Sequence, residues 1–168
     1  MKISELLSAK KPILSFEVFP PKNTDTFDSV KEATEAIAAL SPSFMSVTYG
    51  AGGTTDAYTT NIAANILHKY KVTPIAHLTC VGSSKEHVLK KISEFKAEGI
   101  DNILSLRGDI PKDGVLCNDF RYASELTEFI KKNGDFCVGG ACYPDVHVES
   151  KTQDEDIFYL KKKSRFRL

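Results

Sequence analysis

The sequence predicts an α/β protein of the TIM (β/α)8-barrel family, here an incomplete barrel of about five βα units. Three observations carry that expectation. Short β-rich runs begin at residues 13, 44, 73, 102 and 136, roughly 30 residues apart as in successive βα units. Between them apolar residues recur at helical spacing. Each run also has one apolar parity and a second parity that turns polar toward its C-terminal end. A buried parallel sheet would read as nearly continuous apolar runs. An open doubly wound sheet would bury the polar parity under helices at high cost, whereas a barrel points it inward, toward the mouth where barrel enzymes place their sites.

The first strand, Ile13–Phe19, sets Leu14, Phe16 and Val18 against Ser15 and Glu17. Pro20-Pro21 ends it, since neither residue can donate to a ladder. A carboxylate inside such a run is expensive unless water, a partner or a substrate meets it. Glu17 therefore reads either as one half of a pair with Arg107 or another basic group, or as a general acid whose pKa is raised by partial burial.

Phe27, Val30, Ala33, Ile37 and Leu40 mark the first helix. In the second strand, Phe44–Tyr49, Ser46 and Thr48 alternate with Met45 and Val47. Gly50-Ala51-Gly52-Gly53-Thr54-Thr55 follows, a loop that is either a simple turn or a cradle for phosphate or pyrophosphate. Ile62, Ile66, Leu67 and Tyr70 mark the next helix. In the third strand, Thr73–Cys80, His77 and Thr79 alternate with Ala76, Leu78 and Cys80. Ser83-Ser84-Lys85-Glu86 fits a capping box before the helix of Val88, Leu89, Ile92 and Phe95, which Gly99 would end in the left-handed conformation.

In the fourth strand, Asn102–Arg107, alternation predicts that Ser105, Arg107 and Asp109 face inward, opposite Leu104 and Leu106. Arg107-Gly108-Asp109 sets a fixed cation, a flexible backbone position and an anion at a strand end. A helix of Tyr122, Leu126, Phe129 and Ile130 follows, with Gly134 at its end, and then the fifth strand, Phe136–Cys142. Lys161-Lys162-Lys163-Ser164-Arg165-Phe166-Arg167-Leu168 holds five cations in eight residues, which a solvated helix end explains.

Composition narrows the function classes. The 168 residues carry 22 Lys+Arg and 22 Asp+Glu, so no basic surface suggests nucleic-acid binding. No apolar run reaches the ~20 residues of a membrane span. No secretory signal precedes the first charges, and four unevenly spaced cysteines are not a disulfide framework. A cytoplasmic protein with one domain over residues 1–168 is expected. His77 with Cys80, and Cys142 with His147, lack a zinc ligand set, so no metal is expected. The first strand has no Gly-x-Gly-x-x-Gly after it.

Five motifs then resemble one family. Ser15-Phe16-Glu17-Val18-Phe19-Pro20-Pro21-Lys22, Val47-Thr48-Tyr49-Gly50-Ala51-Gly52-Gly53, Ala76-His77-Leu78-Thr79-Cys80, Leu106-Arg107-Gly108-Asp109 and Cys142-Tyr143-Pro144-Asp145-Val146-His147 stand in the order found in methylenetetrahydrofolate reductases. The resemblance implies a flavin-dependent (βα)8 barrel that reduces 5,10-methylenetetrahydrofolate to 5-methyltetrahydrofolate with NADH or NADPH. It implies FAD as cofactor, a small-molecule folate as substrate, and a homo-oligomer when complete. By motif position Glu17 resembles the family's general acid and Asp109 a group near flavin and folate. Thr48, His77, Arg107, Gly108, Asp109, Tyr122, Ala123, Tyr143 and His147 match FAD-contacting positions. Asp156, Lys162 and Lys163, with Ser150 and Tyr159, match positions at the adenosine and phosphate end.

After Lys163 this sequence departs from the family's Val-Asp-Ala-Gly-Ala-Asp. The chain is thus expected to be C-terminally truncated or alternatively ended, without the family's folate-binding glutamine. Open sheet edges would make it poorly soluble or oligomeric, with weak FAD binding and slow turnover. The competing readings are a non-catalytic fragment that associates with full-length subunits and a barrel that binds a phosphorylated metabolite.

Overall fold

The computed structural model describes residues 1–9, 11–21, 24–49, 56–109, 117, 119–143, 145–147 and 150–164, apart from a few side chains within helices. Among the described residues six α-helices and five strands run in the order α1 (Ile3–Ser8), β1 (Ser15–Val18), α2 (Phe27–Ala38), β2 (Phe44–Val47), α3 (Asp56–Tyr70), β3 (Thr73–Thr79), α4 (Lys85–Ala97), β4 (Asn102–Leu106), α5 (Ala123–Asn133), β5 (Cys137–Gly140) and α6 (Gln153–Ser164). A 3-10 turn at Thr24–Thr26 leads into α2.

All strand pairs are parallel, and the sheet order is the chain order β1-β2-β3-β4-β5. The five expected strands are present, each shorter than its apolar run. Proline follows β1 closely, and past β2 and β3 backbone hydrogen bonds, Thr48 N to the Val18 carbonyl and Cys80 N to the Leu106 carbonyl, extend the contact between strands. Helix α1 had no counterpart in the sequence reading.

One parity of the sheet is sealed. Met45, Val47, Ala76, Leu78, Ile103 and Val138 are buried in a single core with Ile62, Ala63, Ile66, Val88, Ile92, Phe95, Leu126 and Ile130 from the helices. Register puts the opposite parity on one common face: Glu17 aligns with Ser46, Ser46 with Ile75, His77 with Leu104, and Leu104 with Gly139. Most of its residues are partly exposed. We call it the open face.

Register overturns the inward assignment in the fourth strand. Leu104 and Leu106 lie on the open face, while Ser105 lies on the helix side, 1% exposed. Its hydroxyl donates to the Ala123 carbonyl at 3.2 Å and accepts from Thr127 Oγ1 at 3.0 Å. A buried hydroxyl costs little when its bonds are made, so α5 supplies what the barrel interior was expected to supply.

Helix ends correct two further expectations. Ser84, not Ser83, is the N-cap of α4, accepting from His87 N at 3.1 Å. Ser83 Oγ donates to the Thr79 carbonyl, and Lys85 N donates to Asp119. Gly99 has the expected positive φ of 71°. Gly134 is extended instead, with φ −174°. Glycine is required there by space, because a Cβ would run into the Phe136 ring.

The N-terminal segment ties down the N-terminal ends of the strands. Asn102, 2% exposed, accepts from Ile3 N at 2.8 Å and donates to the carbonyls of Met1 at 3.0 Å and Pro74 at 3.2 Å. Lys2 Nζ meets Asp135 at 2.8 Å. On the outer layer, Glu35 of α2 accepts from Lys69, Tyr70 and Asn65 of α3. The site therefore sits at the end of a sheet braced both at its far end and on its helical side.

Candidate active site

The strongest constellation on the open face is built from three adjacent strands. Glu17 is the third residue of β1, with alternation placing its carboxylate opposite Phe16 and Val18. Its cross-strand neighbour Ser46 donates from Oγ to Glu17 Oε2 at 3.0 Å. From β3, His77 brings Nε2 to 3.4 Å from the same Oε2. The basic group beside Glu17 is thus His77, with Ser46 as a second partner.

The two ionisable groups differ in solvation. The Glu17 side chain is 48% exposed and that of His77 is 7% exposed, so partial burial does not isolate the Glu17 carboxylate from water. Burial pushes the His77 imidazole below its ordinary 6.5, while the Glu17 carboxylate pulls the other way. The His77–Glu17 approach lacks hydrogen-bond alignment, leaving Nε2 buried without a hydrogen-bond partner among the described residues. Such an atom is costly to leave unmet.

The strand ends carry the next expected residues. Thr48 follows β2 directly, its N–H donating to the Val18 carbonyl and its carbonyl accepting from Thr59 Oγ1. Arg107 follows β4, and its carbonyl receives the N–H groups of Cys80 and Val81 at 3.2 and 2.9 Å. Gly108 has φ +82°, and a Cβ there would lie 2.9 Å from Thr79 Cβ. Only glycine fits both the conformation and the space. Asp109 is exposed beside it. No hydrogen bond or ion pair joins Asp109 to Glu17 or His77 among the described residues.

The remaining expected residues form a second group around α5 and α6. Tyr122, at the N-cap of α5, stacks on Tyr159 of α6 with ring centroids 6.0 Å apart, and the Arg121 guanidinium lies 5.3 Å from the Tyr122 ring. Ala123 is buried and acts through its carbonyl, which accepts from Ser105 and Thr127. Tyr143 and His147 meet edge to face at 4.6 Å. Asp156 accepts from His147 N at 2.7 Å and from the Ser150 hydroxyl, which locks the segment before α6 onto its first turn. Lys162 and Lys163 lie on α6, but their side chains lie outside the described set, as do Lys22, Pro144 and the loop Gly50-Ala51-Gly52-Gly53-Thr54-Thr55.

The structure thus joins Glu17 to His77, Tyr122 to Tyr159, and Tyr143, His147 and Ser150 to the segment anchored by Asp156. Sequence reasoning set Ser46 on the polar parity without a role. Its signal was its place opposite Glu17, visible only once the two strands are paired in register. Among the described residues, no three His, Cys, Asp or Glu side chains converge as a metal site, and no helix is long and apolar enough to cross a membrane.

Comparison with known proteins agrees with the motifs. The family model for methylenetetrahydrofolate reductase matches residues 2–165. The chain is 35% identical over 150 residues to a 5,10-methylenetetrahydrofolate reductase of Pectobacterium carotovorum, covering 89% of this chain and 50% of that protein. It is 41% identical over 151 residues to one from Buchnera aphidicola of Schizaphis graminum, covering 89% and 51%. It is 33% identical to a probable methylenetetrahydrofolate reductase (NADH) of rice, covering 96% of this chain and 30% of that protein. The chain spans about half the length of the bacterial relatives it matches.

Proposed function

Since the chain belongs to the methylenetetrahydrofolate reductase family, we propose that it carries the acid and flavin-contacting half of a site that reduces 5,10-methylenetetrahydrofolate to 5-methyltetrahydrofolate. NADH or NADPH is the reductant, and the rice relative's name favours NADH. The open face is read as the inside of a (β/α)8 barrel, with residues 1–168 one catalytic domain. A cytoplasmic homo-oligomer is part of the same reading.

The observation that carries it is the Glu17–Ser46–His77 constellation, with a buried, unmet His77 Nε2 beside the carboxylate. An unmet buried atom on an open face suits a polar ligand group. FAD fits the same face, where the buried His77 Nε2 without a hydrogen-bond partner among the described residues offers the ring a polar contact. Thr48, His77, Arg107, Gly108 and Asp109 would hold the isoalloxazine end. Tyr122, Ala123, Tyr143 and His147, with Ser150, Asp156, Tyr159, Lys162 and Lys163, would hold the rest. When bound, the flavin supplies a store for hydride between nicotinamide and folate.

Glu17 supplies the proton. It protonates the folate nitrogen that leaves the methylene carbon as the five-membered ring opens, and the hydride completes the methyl group at that carbon. Asp109, a negative charge at the rim, favours the cationic iminium that ring opening creates. In the anaerobic spectrum of the purified chain with FAD, NADH should bleach the flavin band and methylenetetrahydrofolate should restore it. No bleaching would sink the proposal.

A second reading is association with longer subunits, and it is favoured by α6. There Ile157, Phe158 and Leu160 are exposed, and β5 has an unpaired edge among the described residues. Co-purification of such subunits without flavin would support it.

A further inference from the structure

We infer that Ser46 is the positioning residue for Glu17: its hydroxyl holds one carboxylate oxygen and so selects the other as the atom that delivers the proton. The inference rests on the reading of Glu17 as the general acid and adds a residue to it.

The register makes the pair. Glu17 and Ser46 are aligned partners on neighbouring parallel strands, so their side chains rise side by side at the strand spacing of about 4.8 Å. Ser46 Oγ reaches Glu17 Oε2 at 3.0 Å, and His77 Nε2 stands 3.4 Å from that same oxygen. Two groups therefore crowd Oε2. Among the described residues nothing meets Oε1, so Oε1 is the oxygen left to face a ligand. The backbone under Ser46 is rigid, because Met45 and Val47 on either side are fully buried.

A hydroxyl that donates to a carboxylate favours its charged form. Ser46 therefore does two things that a purely structural serine would not. It fixes the orientation of the acid, and it keeps Oε2 occupied so that Oε1 is the oxygen that carries the proton. The charged group in ion-pair range of Glu17 among the described residues is His77 on β3.

The test is the carbon-13 carboxyl resonance of Glu17 at neutral pH in the full chain, assigned with Glu17→Gln. Ser46→Ala should shift that resonance, and Ser46→Thr, which keeps the hydroxyl, should return it. The change should persist in a His77→Gln background, which removes the other neighbour. In the flavin-loaded chain Ser46→Ala should slow folate reduction roughly tenfold, the scale of one hydrogen bond to a charged group, while flavin reduction by NADH keeps its rate. An unchanged resonance in Ser46→Ala would overturn the inference. A chain that takes up no flavin would count against the proposed function and leave the resonance to decide this one.

Discussion

Glu17 on β1 and His77 on β3 approach to 3.4 Å across the intervening strand, one carboxylate half in water and one imidazole almost wholly out of it. Neither group could hold this arrangement alone. The sealed parity of the sheet fixes the strands, the Ser46 hydroxyl steadies the carboxylate, and burial disfavours the charged imidazole. A solvated acid beside a dry base gives the open face a polar end at which a proton can be delivered.

If Glu17 supplies that proton, Glu17→Gln should slow folate reduction by about 10²- to 10⁴-fold, the usual contribution of a general acid. Bleaching of the flavin by NADH needs no proton from Glu17 and should keep its rate. Stopped-flow measurement of the two half-reactions separates them. Equal losses in both would show that Glu17 serves binding rather than acid catalysis.

His77 predicts a pH effect on stability. Its folded pKa lies below the ordinary 6.5, chiefly from burial and partly offset by Glu17. Above 6.5 both folded and unfolded chains leave it neutral and it costs nothing. As pH falls below 6.5 the unfolded chain takes up the proton first, so stability is lost until the folded pKa is reached. The Tm difference between pH 7.5 and pH 5.5 should shrink in His77→Gln. It should grow in Glu17→Gln, which removes the charge that holds the pKa up.

Glu35 has the opposite sign. Lys69, then Asn65 and Tyr70, hold its carboxyl down at about 2 against an ordinary 4.5. The clasp between α2 and α3 thus stabilises the fold at pH above about 4.5 and fades as pH falls toward 2. Glu35→Gln should lower the Tm at pH 7, with the gap to the parent closing by pH 2.5. A gap that is constant with pH would mean that packing, not the charge, joins the two helices.

How much of this was legible in the sequence varied with the range of the forces involved. The strand and helix order was plain because burial follows local periodicity: Met45, Val47, Ala76 and Leu78 are all sealed, as their alternation indicated. Glu17 and His77 stood out because a charge and an imidazole interrupt otherwise apolar strands. Ser105 misled because alternation shows that a hydroxyl is polar but not that Ala123 and Thr127 wait to bond it. Gly134 misled because a helix-end glycine suggests positive φ, while the actual constraint is the Phe136 ring two residues later. Asn102 gave no signal at all, since its partners at Met1 and Ile3 are about a hundred residues away.

Asn102 is accordingly the residue whose replacement best tests how the N-terminal segment is held. Its amide oxygen accepts from Ile3 N, and its amide nitrogen donates to two carbonyls, Met1 and Pro74. Asn102→Ala should cost about 1–3 kcal/mol, the penalty for stranding buried polar groups, and the Ile3 amide should lose its hydrogen-exchange protection. Asn102→Asp keeps the acceptor for Ile3 but turns an oxygen toward the two carbonyls. At neutral pH it should therefore be the less stable of the two variants. Protonation restores a donor, so it should gain on Asn102→Ala as pH falls. Urea midpoints of both variants at pH 7 and pH 4 make the comparison. An Asn102→Asp chain as stable as the parent at pH 7 would show that the donor side of the amide holds nothing in place.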